Sequence, residues 1–291
     1  MAYPSLESIV MYCQEHQVDF FEAIIADDCD ERKVSKEESF GQMGKMWEAM
    51  REAADSYDRN LKSASGLVGG QGHLMEQYRS KNAPLCGDFM AQVIEQALEM
   101  GESNACMKRI VAAPTAGACG VLPAVLIPYY RNNQVDEELV IKSLYVAAGI
   151  GQVIATRAFI AGAAGGCQAE VGAASSMAAG AMVYLRGGSA YQIAQAAAMA
   201  LKNLLGLVCD PVPGLVEVPC VKRGVIGAVG AMAAADMALA GIASRIPADQ
   251  VIDAMREVGE KMDVSLKETG EGGLAASTAG VRIREALDTR Q

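Results

Sequence analysis

Three cysteines stand in contexts where a thiol can do chemistry. Cys167 lies in AAGGCQAEVGAASS, and Cys209 and Cys220 close the two ends of CDPVPGLVEVPC. Thiolates are the ligands that iron–sulfur clusters require, because soft sulfur binds iron well. Gly165 and Gly166 clear room beside Cys167 for a bulky inorganic group. Pro211, Pro213 and Pro219 stiffen the loop that presents the other two thiols. The spacing is not a motif in itself: there is no C-x-x-C, and free cysteine is among the most buried residue types. Spacing alone therefore favours three small buried hydrophobes over three metal ligands.

The chain has eight cysteines, and Cys13, Cys29, Cys86, Cys106 and Cys119 read as ordinary thiols. The start, MAYPSLESIV, shows no basic segment followed by an apolar stretch, so no signal peptide is expected. The expected location is the reducing cytoplasm, where thiols and metal ligands are commoner than disulfides. A net charge of -10 opposes a phosphate backbone and an anionic membrane surface, so neither nucleic acid nor membrane is an expected partner. The longest uncharged stretch, Ile110 to Tyr130, contains Pro114, Pro123, Pro128, Gly117 and Gly120. These breakers point to a buried core segment instead of a membrane span.

The elements that must carry the cysteines read as helices. Hydrophobic residues make up 51% of the chain and aromatics only 5%, so the core is built from Ala, Val, Ile, Leu and Met. Leu6, Ile9, Val10 and Cys13 fall on one helical stripe, as do Phe20, Phe21, Ile24 and Ile25. Asp27 to Lys36 reads as a charged connector, and Glu38 to Leu61 as a long helix with Met43, Met46, Trp47 and Met50 inward. SASGLVGGQGH reads as a Gly-rich loop, and residues 82–110 as another helix. Leu139 to Leu185 is almost entirely small and apolar, which places it in central, fully buried helices. Ser189 to Leu205 follows, with Ser189 as N-cap. Three prolines exclude regular helix between Cys209 and Cys220. Helix resumes at Ala228 to Ile242, then Pro247 to Met262, and LKETGEGGLAAST is a loop before a short final helix. Alternating strand patterns are scarce. The expected fold class is all-α: a compact bundle of Ala/Gly-rich buried helices with Gly- and Pro-rich loops. It forms one domain, with 1–62 as peripheral amphipathic helices and 63–291 as the core.

Three segments, AAPTAGACGVLPAVL, GAAGGCQAEVGAASSMAAGA and LVCDPVPGLVEVPCVKR, resemble the signature segments of the iron–sulfur L-serine dehydratases, and more narrowly the α subunit of the two-chain form. The resemblance runs from SGLVGG to GEGGLAAS. It implies an all-helical fold and a 4Fe–4S cluster on Cys167, Cys209 and Cys220, with one iron free of protein thiolate. It also implies Lewis-acid dehydration of L-serine to aminoacrylate, which yields pyruvate and ammonia without pyridoxal phosphate. Single-chain relatives end in a cysteine that reaches the open iron, and this sequence has none after Cys220. They also carry a Ser-Ser-Ser-His segment for the general base. That segment is missing here, so a β subunit is the expected partner and the expected source of the base.

Other candidates are weaker. His73 is one of two histidines and a conceivable base or substrate contact, although a loop histidine is more often merely exposed; His16 reads as solvated. Ser65, Gly66, Gly69 and Gly70 form a turn whose amides suit a carboxylate. Thr115 and Gly117 carry the same reading, with Thr115 as a carboxylate donor. Lys222 and Arg223 suit either a substrate carboxylate or a surface pair. Glu170 and Asp210 neighbour ligand positions and read as supports for them. The rival enzymes are a cysteine desulfidase or another cluster-dependent hydroxy-acid dehydratase. The rival of another class is a helical scaffold subunit.

Overall fold

The structure is a computed structural model that describes residues 3–212 and 214–289. Pro213 lies outside the described residues. The helices are α1 (Leu6–His16), α2 (Phe20–Arg32), α3 (Lys36–Asp55), α4 (Gln71–Lys81), α5 (Asp88–Ala105), α6 (Val121–Asn133), α7 (Glu137–Arg157), α8 (Gly162–Gly165), α9 (Ala173–Leu185), α10 (Ala190–Lys202), α11 (Cys220–Leu239), α12 (Ala248–Lys261) and α13 (Thr278–Asp288). Among the described residues there is no β-strand, only isolated bridges joining Cys209 to Lys267 and Val212 to Val218. The expected all-α class holds.

Local chemistry starts several of these helices. Ser5, Asp19, Ser35 and Ser189 each cap an N-terminus through a reciprocal box with the residue three positions on. Helix α9 is the hub. Every residue of it except Tyr184 is buried, and it packs on α7, α10 and α11. Small residues let these backbones approach: a methyl added at Gly180 would lie 2.2 Å from Ile150 Cδ1. Ser175 and Ser176 are buried there but satisfied, donating to the carbonyls of Gly227 (2.7 Å) and Ala197 (2.9 Å). The hydrophobic core is continuous and takes in Leu6, Ile9, Phe20 and Trp47 from α1 to α3.

Several boundaries differ from the expectation. Helix α2 continues through the charged stretch to Arg32, where Asp28 and Arg32 pair one turn apart at 3.0 Å, so the connector shrinks to Lys33–Ser35. Helix α3 stops at Asp55, and Met46 is exposed instead of inward. Gln71, Gly72 and His73, expected at the end of the Gly-rich loop, instead open helix α4. The small apolar run breaks between Ala158 and Gly172. Helix α11 begins at Cys220 instead of Ala228. Two of the three prolines of the uncharged stretch are accommodated within α6: Pro123 sits in the first turn, where no N–H partner is lost, and Pro128 is buried further along. The one helix among the described residues long and apolar enough to cross a bilayer is α7, and 67% of that stretch is packed inside the protein.

Candidate metal centre

Cys167 is placed by a sharp reversal. Helix α8 ends at Gly166, whose φ of 77° suits glycine; a methyl there would also lie 2.7 Å from Met262 Sδ and 2.8 Å from the Leu207 carbonyl. Cys167 then leads into a π-helical turn, Gln168–Gly172, a form often found at functional sites. Gln168 anchors that turn. It is buried, donates to the Met255 carbonyl (3.1 Å) and accepts from the Gly206 amide (2.9 Å). The turn brings Glu170 to the same side as Cys167.

Cys209 is placed by the bridge to the tail. Its amide donates to the Leu266 carbonyl at 2.8 Å, and its carbonyl accepts from the Glu268 amide at 2.7 Å. The loop beyond it is closed by a Val212 amide bond to the Val218 carbonyl (2.7 Å) and delivers Cys220 to the first position of α11. A helix N-terminus carries positive partial charge, which favours a thiolate.

All three thiols are buried, and no described cysteine is in a disulfide. The ligating atoms of Cys167, Glu170 and Cys209 lie within 4.8 Å of one another. Cys167 is held below the ordinary thiol range, first by a hydrogen bond from Cys209 and further by Arg223, against the effect of burial. Cys209 is raised by donating that bond and by burial. Burial pushes Cys220 up to about 12. Arg223 Nη1 is 3.6 Å from Cys167 Sγ, 2.8 Å from the Val208 carbonyl and 2.7 Å from Asp210 Oδ1. Buried free thiols beside a fixed guanidinium are a donor set suited to an anionic, thiolate-ligated metal group.

The surrounding residues are arranged in two groups. In the first, Thr115 Oγ1 donates to Glu170 Oε1 at 2.7 Å, so its hydroxyl serves Glu170. A methyl on Gly117 would lie 2.9 Å from Glu170 Oε2. Burial raises the Glu170 carboxyl, the Thr115 hydroxyl opposes this, and the nearby Glu268 adds to the rise. Asp210 accepts from the Leu274 amide at 2.7 Å, which folds the GEGGLAAS tail over the cysteine loop.

The second group forms around Glu217, inside the cysteine loop and buried. It accepts from Ser63 Oγ (2.9 Å) and from Ser65 Oγ, which ties the Gly66, Gly69 and Gly70 turn to the segment between Cys209 and Cys220. Lys222 is exposed and donates to Gln71 Oε1 at 2.7 Å. His73 is on helix α4, not in a loop; its ring contacts Arg59, Glu76 and Gln77 instead of any cysteine. His16 is exposed and stacks on Tyr12. A cleft of about 510 Å³ between Phe89, Tyr129, Arg186 and Asp236 contains no cysteine. The chemistry is concentrated elsewhere.

Sequence reasoning missed Glu217 and Glu268 and left Arg223 undecided. A signal existed for Glu217: it is the only charge in the apolar run PVPGLVEVP, and such a charge must be buried with partners.

Known proteins resemble this chain along most of its length. The family described as "Serine dehydratase alpha chain" matches residues 15–275. The "Probable L-serine dehydratase, alpha chain" of Bacillus subtilis (strain 168) is 44% identical over 283 residues, 97% of this chain and 94% of that one. The "L-serine dehydratase, alpha chain" of Peptoniphilus asaccharolyticus is 38% identical, with 95% of each chain covered. "L-serine dehydratase 2" of Escherichia coli (strain K12) is 39% identical over 83% of this chain and 54% of its own length. With a match this long and relatives this similar, the chain belongs to the serine dehydratase alpha chain family.

Proposed function

We propose that this chain is the cluster-bearing α subunit of an L-serine ammonia-lyase. The observation that supports the reading is the meeting of Cys167 and Cys209 with Glu170, and the burial of Cys220 at the start of α11, whose Arg223 reaches Cys167, in a chain whose relatives are named L-serine dehydratases. The reaction removes water from L-serine to leave aminoacrylate, which tautomerises and hydrolyses to pyruvate and ammonia.

A 4Fe–4S cluster held by Cys167, Cys209 and Cys220 supplies an electrophilic iron that makes the serine hydroxyl a better leaving group. The chain's own residues prepare that centre. Arg223 stabilises Cys167 as a thiolate, and Asp210 fixes the guanidinium in turn. Thr115 orients the Glu170 carboxylate. Burial of the thiols keeps bulk water away and strengthens each charge interaction. The base that takes the α-proton comes from a β chain. Support for this lies in the two histidines, whose rings are engaged with Tyr12 or with the Glu76 group. The free state of all eight cysteines suits a reducing, cytoplasmic setting.

The test is anaerobic reconstitution with the β chain. The expected result is about four irons per chain with matching acid-labile sulfide, and pyruvate released from L-serine. Protein that carries zinc without sulfide, or forms no pyruvate, contradicts the proposal.

A further inference from the structure

Two carboxylates face one small notch beside Cys209. A methyl placed on Gly162 would lie 2.9 Å from Glu170 Oε2, 3.0 Å from Cys209 Sγ and 3.3 Å from Glu268 Oε2. Only glycine fits at the base of that notch, where even a methyl would crowd all three atoms. Thr115 occupies Glu170 Oε1, which leaves Oε2 turned toward the notch. Glu268 is exposed at the rim and is tied to the metal centre by the bond from its amide to the Cys209 carbonyl. Among the described residues, neither carboxylate has a lysine or arginine within ion-pair distance. Arg223, the nearest cation to the thiols, is engaged with Asp210. Two like charges thus converge beside the thiols with no cationic side chain between them, an arrangement that a cationic ligand group would relieve.

We propose that Glu170 and Glu268 form the receptor for the α-ammonium group of the substrate and so select an amino acid over the corresponding hydroxy acid. The inference rests on the lyase reading above, because it takes the ligand beside the cysteines to be the reacting molecule. An α-amino acid carries one cation, and a 2-hydroxy acid carries none. The carboxylate pair attracts the first and repels the carboxylate of the second, so both attraction and repulsion contribute to the choice. This separates an amino-acid lyase from a hydroxy-acid dehydratase built on the same thiols.

The test uses the reconstituted complex with the β chain, under anaerobic conditions. L-Alanine keeps the ammonium group and lacks the leaving hydroxyl; L-lactate has a hydroxyl in place of the ammonium. Calorimetry measures the binding of both to the wild type, Glu268→Gln and Glu170→Gln. Each variant is expected to weaken L-alanine about tenfold or more, and to leave L-lactate unchanged or tighter. An unchanged L-alanine affinity, an equal loss of both ligands, or no L-alanine binding to the wild type overturns the receptor. Glu268 is exposed, so Glu268→Gln decides the matter even if Glu170→Gln fails to fold. Pyruvate release from L-serine is measured in parallel. A wild type that makes pyruvate while Glu268→Gln keeps its L-alanine affinity refutes the receptor alone. A wild type that makes none refutes the assigned reaction.

Discussion

At the scale of single residues, the cysteines divide by what surrounds them. Cys167 and Cys209 lie together with Glu170, and Cys220 is buried at the start of α11; Cys119, buried against the Met100 carbonyl, is raised to about 12 by desolvation, and Cys86 is exposed. Cys167→Ala, Cys209→Ala and Cys220→Ala are each expected to lose iron, sulfide and activity, because each removes an anchor of the metal group. Cys13→Ala, Cys29→Ala, Cys86→Ala and Cys106→Ala should keep them; the buried Cys13 costs packing of about 1 kcal/mol. Iron and sulfide assays on the purified variants check this, and a fully loaded Cys209→Ala protein would contradict the ligand set. The three cysteines were singled out by their Gly and Pro contexts together with the family resemblance. Arg223 was not, because sequence placed it only next to Lys222. The first turn of α11 sends Lys222 outward to Gln71 and Arg223 inward to Cys167.

At the scale of elements, helices α4 and α5 share an acidic seam. Burial pushes the Glu99 carboxyl up from 4.5 to about 8, with help from Glu95 and Glu76. The folded chain therefore holds that proton more tightly than the unfolded chain. Its contribution to stability is complete below about pH 4.5 and is lost as pH rises toward 8. Glu99→Gln mimics the protonated form, so it should add about 2 kcal/mol at pH 8 and far less at pH 5. Denaturant unfolding across that range, done anaerobically, checks the sign; an equal effect at both pH values would contradict it. The existence of α1, α3, α5, α10 and α12 was readable from periodicity and caps, but helix boundaries were less so. Helix α2 absorbs its charged end because Asp28 and Arg32 pair along one face. Helix α4 has no side-chain cap, and Glu102 from α5 supplies one instead by accepting from the Gln71 and Gly72 amides. No local rule anticipates a cap that arrives from another helix.

At the scale of the whole molecule, the α chain is an incomplete catalyst under the proposed function. Purified alone and loaded with iron and sulfide, it should turn over L-serine at a small fraction of the rate seen once the β chain is added. Full activity of the α chain alone would place the base on this chain, and His73→Ala would be the next variant to assay. In the complex, His73→Ala should reduce the rate by less than about tenfold, a small share of what a general base contributes.

The sequence by itself determined the helical class and the buried Ala- and Gly-rich centre. These follow from residue types and short periods, which act over a few residues. Only the tertiary structure decided which polar groups meet the thiols. Glu170 reaches the thiols through a π turn, Glu268 through a bridge to Cys209, and Glu217 by gripping Ser63 and Ser65 from far along the chain. Such meetings depend on how helices pack and where loops close, and a carboxylate in a linear sequence carries no mark of the partner that folding will bring to it.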